Sequence, residues 1–227
     1  MAEMIADIAF PLRLSFQVAA WATALTAVVG VALAYVLARY EFPGKNVLDV
    51  LVTLPLVLPP VVTGYYLLLL IGRNGVLGQL TRALFDREPQ LVFTWQAAVL
   101  AAFAVSMPLT VRTARAAIEG VEPQMIEASH LLGRSRLATA LLVTLPLASR
   151  GIVAGLVLSF ARALGEFGAT IMVAGNIPGR TNTMALEIYN AVIFADWASA
   201  SVLVAIFTAV SAGFLLAAGR LGQEVRR

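Results

Sequence analysis

The chain has 227 residues, of which 60% are hydrophobic and 13% are charged, and its mean hydropathy is +0.87. A soluble domain carries about 25% charged residues, and a disordered chain combines low hydrophobicity with high charge, so the composition excludes both classes. There is no cysteine and only one histidine, His130, which excludes a disulfide framework, thiol catalysis and metal sites built from several histidines. The net charge of +3 is too slight to indicate a nucleic-acid partner. The composition indicates an integral membrane protein.

Long apolar runs divide the chain into candidate membrane spans. Four runs of 23 to 25 residues carry no charge, and a fifth run carries only Arg162 and Glu166. About 20 helical residues cross the hydrocarbon core, and a helix satisfies the backbone polar groups that cannot face lipid unpaired. Residues 137–149 are also uncharged, but this run contains Pro146 and is too short to span. We therefore predict an all-α, polytopic integral membrane protein, a single domain over residues 1–227 with about five transmembrane helices at residues 14–38, 50–72, 89–111, 151–175 and 197–219.

The basic residues outside the spans predict the orientation of the chain. The first loop, the third loop and the C-terminus hold ten Lys and Arg residues, whereas the N-terminus and the other loops hold five. Lys and Arg accumulate on the cytoplasmic side of membrane proteins, so we expect the N-terminus outside and the C-terminus in the cytoplasm. Glu3 and Asp7 precede the first span without a basic residue, which is unlike a cleaved signal peptide. We expect the first span to be retained.

Helix-breaking residues interrupt the second predicted span. Pro55, Pro59, Pro60 and Gly64 all fall within residues 54–64. Carbonyl groups freed by such a break are tolerated only against protein or water. The break therefore lines a transport path or is a packing kink, and Pro108 in the third span allows the same two interpretations.

The fourth predicted span carries two charges within its apolar run. Arg162 and Glu166 are four residues apart, so they share a helix face and can pair. Charges at this depth are costly and face the bundle interior or a wet cavity. The pair fixes helix packing, with Gly165 and Gly168 allowing close contacts, or it belongs to a path or gate in which Arg162 offers its guanidinium to an oxyanion. The candidate path or gate residues are Pro59, Pro60, Arg162, Gly165, Glu166, Phe167, Gly168 and Thr170.

The loop at residues 118–146, between the third and fourth spans, is predicted to be cytoplasmic and to contain a short helix. Pro123 suits a first helical position and Gly133 suits the position after a helix end. A second helix can begin at Ser135, whose hydroxyl can cap it. In the first helix Met125, Ala128 and Leu132 form one stripe. A helix this short needs a partner surface, which is the membrane, the rest of the same chain or another subunit.

The same loop resembles the EAA loop of ABC importer permeases. The matching residues are Glu127-Ala128-Ser129, three residues, Gly133, nine residues and Val143-Thr144-Leu145-Pro146, with Ser129 in place of the usual alanine and Val143 in place of isoleucine. The resemblance implies that the helix at residues 124–133 docks on a separate ATP-hydrolysing subunit. It assigns ATPase coupling to Glu127, Ala128, Ser129, Gly133, Leu145 and Pro146. The chain has no Gly-x4-Gly-Lys-Ser/Thr loop, so ATP and Mg are expected on the partner and no cofactor on this chain.

Several stretches are similar to the molybdate/tungstate-type permease family, often called ModB. They are residues 42–45, 54–65, 118–121, 165–170 and 175–179. Sulfate and thiosulfate permeases are close relatives that share the Gly-Glu-Phe-Gly-Ala core, here residues 165–169. The resemblance implies the pore-forming subunit of an ATP-driven importer of molybdate or tungstate in a prokaryotic inner membrane. It also implies a homodimer, two ATP-binding subunits and an extracytoplasmic oxyanion-binding protein.

Two other function classes, and the role of the outer arginines, remain open at this point. A self-sufficient secondary transporter or channel would carry intramembrane carboxylate or histidine relays and often an internal repeat. A membrane enzyme would need a nucleophile and base or a metal set, and no such group can be nominated here. In the loops predicted outside, the basic residues contact the binding protein or are solvated charges; they are Arg73, Arg82, Arg87 and Arg180.

Overall fold

The computed structural model describes residues 2–85 and 91–224, with side chains described for residues 8–84 and 91–216. Arg87, Arg226, Arg227 and the first two residues of the predicted third span lie outside the described residues. The described residues form α-helices and no strand, which confirms the all-α prediction. The helices are α1 (Ala2–Leu25), α2 (Val31–Arg39), α3 (Lys45–Thr53), α4 (Pro60–Ile71), α5 (Val76–Phe85), α6 (Trp95–Glu119), α7 (Pro123–Leu131), α8 (Arg136–Thr139), α9 (Leu145–Leu164), α10 (Gly168–Ala174), α11 (Met184–Ile193) and α12 (Trp197–Glu224).

Five helical segments in the described residues are long and apolar enough to cross a membrane, as the apolar runs predicted. Two of them contain a π-helical turn, Thr26–Gly30 between α1 and α2 and Ala140–Thr144 between α8 and α9. The second segment begins only at Pro60, after the prolines have ended the preceding helical turn at Leu56. Pro108, in contrast, lies inside α6 without ending it. The five segments are Ile8–Arg39, Pro60–Leu84, Trp95–Glu119, Arg136–Leu164 and Trp197–Leu216.

The bounds of the fourth segment correct the sequence prediction. The predicted span at residues 151–175 is not one helix, because α9 ends at Leu164 and α10 begins at Gly168. The helical segment instead extends toward the N-terminus, through residues 137–149, an uncharged run that is too short to span by itself. Pro146 does not stop it, since the proline lies in the first turn of α9, directly after the π-helical turn, where its missing N–H is tolerated. Arg150 does not end the span, because a long basic side chain can lie along an apolar helix and reach the membrane interface.

The core of the fold surrounds α6. Ala97, Ala98, Ala101 and Ala102 are fully buried on this helix, and small residues let membrane helices approach closely. Toward its other end, α6 is joined to α9 by buried hydroxyl groups. Thr110 and Ser159 are hydrogen-bonded at 2.7 Å between their hydroxyl oxygens, and Ser159 donates to the Ser106 carbonyl oxygen at 2.7 Å. These contacts hold α9, which carries Arg162 and is followed by Glu166, against the core.

The last two helices pack more loosely around this core. The Met184 N–H at the start of α11 donates to the buried Ser15 hydroxyl at 2.8 Å. Asp196 caps α12 by accepting the Ser199 N–H at 3.1 Å, and hydrogen bonds from Ser199 lower the pKa of the Asp196 carboxyl below its ordinary value. The Phe214 ring of α12 lies 4.3 Å from the Phe160 ring of α9, measured between centroids. Most of the described surface of α12 nevertheless remains exposed.

Candidate functional site

The breaks in two of the spans meet at one place, which we call the broken-helix junction and define as residues 57–64 and 162–170. Pro59 is extended, with ψ of 135°, and Pro60 begins α4. The short helix α10 lies directly against α4 at this point. A methyl group on Gly168 would lie 2.9 Å from the Pro60 Cβ. The junction therefore brings together residues that the sequence marked in separate spans.

Glu166 organises the second half of the broken-helix junction. Its side chain is 1% exposed, and its Oε2 lies 2.8 Å from the Arg162 Nη1. Its Oε1 accepts the Ala169 N–H at 2.8 Å. A carboxylate that accepts an N–H at a helix N-terminus also interacts favourably with the helix dipole. Oε1 is thus hydrogen-bonded and Oε2 is ion-paired within the chain, although Oε2 has no hydrogen-bond partner among the described residues. This arrangement favours the packing interpretation of the pair over direct anion binding.

The other predicted path residues have different surroundings. The Phe167 ring lies 5.0 Å from the Tyr189 ring of α11, measured between centroids. Thr170 is buried within α10, 1% exposed, whereas a methyl group on Gly165 would meet no atom within 4 Å. Arg162 keeps about a third of its side chain exposed, 33%. These residues share a neighbourhood, and their role in translocation stays a prediction.

Sequence reasoning did not single out Gly64 as a site residue, although it stands where α4 and α10 approach most closely. A methyl group there would lie 2.7 Å from the Met172 Cβ and 2.9 Å from the Ala169 Cα. The nearby Thr63 hydroxyl is buried and has no hydrogen-bond partner among the described residues. The only sequence signal was the position of the glycine after the prolines, since its neighbour Met172 lies more than a hundred residues further on.

We predict that Gly64→Ala destabilises the protein, because the added methyl group overlaps the α10 backbone. Overpacking of this kind costs about 1–3 kcal/mol, so the Tm of the detergent-purified chain is expected to fall. Gly213→Ala is the matched control, because no atom lies within 4 Å of a methyl group there and Gly213 is inside α12. That control is expected to keep or raise the Tm, since alanine favours helix by about 0.5–1 kcal/mol. Equal effects of the two substitutions on Tm would contradict the close approach of α4 and α10.

The loop between the third and fourth spans contains the helix that its sequence predicts. α7 begins at Pro123, ends at Leu131 and is followed by Gly133 with a φ of +77°. This left-handed conformation is easy for glycine and strained for other residues. It turns the chain so that the Arg134 N–H donates to the Ser129 carbonyl oxygen at 3.2 Å. The α7 helix is therefore short and has well-defined ends.

One side of α7 packs on the rest of the chain. Ile126 contacts the apolar cluster that includes Leu37, Ile118 and Ala148. Ser129 is buried, and its hydroxyl is hydrogen-bonded to the Thr139 hydroxyl of α8 at 2.9 Å between oxygens. An alanine, the usual residue at this position of the motif, has no hydroxyl and could not form this hydrogen bond. No sequence motif pointed to Thr139.

The other side of α7 and the turn after it are exposed and apolar. Leu131 is 89% exposed, Leu132 is 81% exposed and Met125 is 51% exposed. Glu127 and Ala128 are exposed beside them. We call these five residues the coupling surface. Among the remaining predicted coupling residues, Leu145 packs on the cluster under α7, and Pro146 is exposed.

The connection between α10 and α11 is ordered by its own polar side chains. The Asn176 amide donates to the Asn190 side-chain oxygen at 2.6 Å, and the Ile177 N–H donates to the Thr181 hydroxyl at 2.9 Å. Arg180 is exposed on this connection. In the neighbouring connection, the Arg82 guanidinium lies 3.4 Å from the Arg73 carbonyl oxygen. Contacts of these arginines with a binding protein stay a prediction.

No group of three or more His, Asp or Glu side chains able to hold a metal ion occurs in the part of the chain that the structure describes. The site is thus defined by helix breaks, one ion pair and an exposed helix.

Residues 5–227 match the family described as "Binding-protein-dependent transport system inner membrane component". The chain is 46% identical over 176 residues to the molybdenum transport system permease protein ModB of Escherichia coli (strain K12), covering 78% of this chain and 76% of that protein. It is 37% identical over 206 residues to the sulfate transport system permease protein CysT of Salmonella typhimurium, covering 91% of this chain and 73% of that protein. Its fold is similar to that of a chain in the crystal structure of a bacterial alginate ABC transporter in complex with an alginate pentasaccharide-bound periplasmic protein. The TM-score is 0.80 at 14% sequence identity, and the match covers 96% of this chain and 79% of the other. The chain therefore belongs to the family of inner-membrane components of binding-protein-dependent transport systems.

Proposed function

We propose that this chain is the pore-forming subunit of an ATP-driven importer of molybdate, with tungstate as the chemically similar alternative. The observation that carries the proposal is the coupling surface, an exposed apolar patch on a helix whose opposite side is packed on the chain. The molybdenum permease of Escherichia coli, at 46% identity, supports the substrate. The chain itself is a translocation subunit and not an enzyme, and ATP with its Mg binds to a partner subunit.

Coupling follows from how α7 is attached. The Ser129–Thr139 hydrogen bond joins α7 to α8. α8 begins a continuous helical segment, from Arg136 to Leu164, that contains Arg162. A segment of 29 residues is roughly 43 Å long at about 1.5 Å per residue. A displacement of α7 by the ATPase subunit is thereby transmitted as a rigid-body shift to the broken-helix junction.

The proposed assembly has two copies of this chain, two ATPase subunits and one extracytoplasmic oxyanion-binding protein. Five spans barely enclose a path, and the largely exposed α12 offers a surface to lipid or to a second copy. We place the coupling surface and the C-terminus in the cytoplasm and the N-terminus outside, because the basic residues concentrate on that side. Arg180 then faces the binding protein.

Sulfate is the second candidate substrate. It is favoured by the CysT relative, which matches a larger share of this chain than the ModB relative does, although at lower identity. Molybdate, tungstate and sulfate are all tetrahedral dianions, so the pore geometry alone discriminates weakly between them. Selectivity is expected to reside mainly in the binding protein.

Uptake by reconstituted vesicles tests the proposal. We expect labelled molybdate to accumulate only when the chain, its ATPase subunit, the binding protein and ATP are all present, and vanadate to stop it. Excess unlabelled molybdate should compete, and excess sulfate should not. Accumulation of labelled sulfate without accumulation of labelled molybdate would replace molybdate by the second candidate, and ATP-independent uptake by the chain alone would refute an ATP-driven importer.

A further inference from the structure

A polar cavity lies beneath α7, on the side opposite the coupling surface. Its volume is about 250 Å³, and it is bounded by the end of α2, by α7, by α8 and by the π-helical turn. About 10–15 Å³ already holds one water molecule, so the cavity has room for a small hydrated anion. The lining residues that matter here are Tyr35, Arg39, His130, Arg136, Thr139 and Thr144.

The charges of this cavity are all of one sign. Two guanidinium groups, from Arg39 and Arg136, line it, and no carboxylate is among its described lining residues. The Arg136 side chain forms no hydrogen bond or ion pair with the described residues, and it is exposed. The nearby acidic residues Asp49 and Glu119 are engaged by Arg115 instead. The cavity is therefore electropositive without internal compensation.

Arg39 is only partly satisfied within the chain. Its Nη2 donates to the Ile118 carbonyl oxygen at 2.6 Å, which fixes the position of the guanidinium. Its Nε is buried and has no acceptor among the described residues. A buried donor without an acceptor is costly, and a fork of donors fits the oxygens of a phosphate-like group. A bound oxyanion would supply acceptors for the N–H groups of Arg39 that line the cavity.

The backbone around the cavity is also unusual. Thr144 is the last residue of the π-helical turn Ala140–Thr144, and π-helical turns are frequent at functional sites. The turn places the buried Thr144 and the Thr139 hydroxyl in the same lining as Arg136. Hydroxyl and guanidinium N–H groups are donors that a tetrahedral oxyanion can accept from, although the Thr139 hydroxyl is also hydrogen-bonded to Ser129.

We infer that this cavity binds a phosphate group or a similar tetrahedral oxyanion. The site lies next to α7 and is separate from the broken-helix junction. Two sources share this chemistry, a free inorganic anion and the headgroup of an anionic phospholipid. A bound anion would contact both Arg39 of α2 and Arg136 of α8, and it would stabilise the position of α7 on the side opposite the coupling surface. The inference does not depend on which substrate is transported.

Binding to the purified full chain, without ATP or ATPase subunit, tests the inference. In detergent, inorganic phosphate binding is measured by calorimetry; in bilayer discs of mixed lipid, retention of phosphatidylglycerol over phosphatidylcholine is measured by native mass spectrometry. We expect Arg136→Gln to weaken whichever of the two is observed by about tenfold, since a charge-assisted hydrogen bond is lost. Arg39→Gln is expected to act in the same direction. Phosphate binding identifies a free anion as the source, and selective lipid retention identifies a headgroup.

Arg134→Gln is the matched control, because Arg134 is an exposed arginine of the same loop that does not line the cavity. It should change binding by less than about twofold. Arg136→Gln tests the exposed side of the cavity without touching the bond from Arg39 to Ile118, so a folding defect of Arg39→Gln does not remove the test. The inference is overturned if neither phosphate nor phosphatidylglycerol binds, or if Arg134→Gln weakens binding as much as Arg136→Gln does. Because no transport is measured, its failure is distinguishable from failure of the proposed function.

Discussion

Replacing Arg162 by glutamine is expected to lower stability and to reduce ATP-driven molybdate uptake to background. The substitution leaves the Glu166 carboxylate 1% exposed, with the Ala169 N–H as its only remaining partner of the two described above. Breaking one side of a buried ion pair costs about 3–5 kcal/mol, and we expect the lower end because Arg162 is 33% exposed. The measurements are the Tm of the purified chain and uptake per reconstituted protein.

The double variant Arg162→Leu with Glu166→Gln separates packing from anion binding. Removing both charges eliminates the unpaired buried carboxylate, and the glutamine side-chain oxygen can still accept the Ala169 N–H. If the pair fixes helix packing, the double variant recovers both Tm and most of the uptake. Recovery of Tm without uptake would assign Arg162 a direct role in the path and contradict the packing interpretation.

Replacing Gly133 by proline is expected to uncouple transport from ATP hydrolysis while the chain still enters the membrane. Gly133 has a φ of +77°, which a proline ring cannot adopt, and its N–H donates to the His130 carbonyl oxygen at 2.9 Å. The end of α7 must therefore rearrange, and the coupling surface loses its geometry. Vanadate-sensitive uptake should fall by more than about tenfold. Unchanged uptake would contradict a coupling role for α7.

Charged substitutions test the same surface without disturbing the backbone. Leu131→Asp combined with Leu132→Asp changes side chains that are 89% and 81% exposed, so the fold of the chain is expected to survive. Co-purification of the ATPase subunit should be lost, because carboxylates cannot be buried in an apolar interface without a partner. Leu84→Asp is the control, since Leu84 is 65% exposed near the end of α5, before the start of α6 at Trp95, whereas α7 follows the other end of α6. Loss of the ATPase subunit in this control as well would contradict specific docking at α7.

Some features follow from the sequence because their causes are local. Uncharged runs longer than the bilayer core predict the number of spans, since lipid penalises charge and unpaired backbone wherever they occur. Pro123 and Gly133 predict the ends of α7, because each restricts or frees the backbone at its own position. The spacing from Glu127 to Pro146 likewise supports the prediction that this loop couples the chain to an ATPase subunit.

The bounds of the fourth span did not follow, because they depend on contacts. The run was counted from Gly151 because Arg150 is charged, yet the helix continues from α8 through the π-helical turn and Pro146. At the other end, Gly165, Gly168 and the Glu166 cap separate α9 from α10, so that a predicted span of 25 residues becomes part of one helix and a second helix of 7 residues.

The sequence by itself determined the membrane environment of this protein, its helical class, its family resemblance and the position of α7, because apolar length, proline, glycine and motif spacing act within a short stretch of chain. Only the tertiary structure decided that Gly64 and Gly168 lie where α4 and α10 approach closely, that the Ser129 and Thr139 hydroxyl groups are hydrogen-bonded, and that Arg39 and Arg136 line one cavity. These pairings join residues that are distant in sequence or carry no motif. They arise from close packing of helices, which no local pattern of residues encodes.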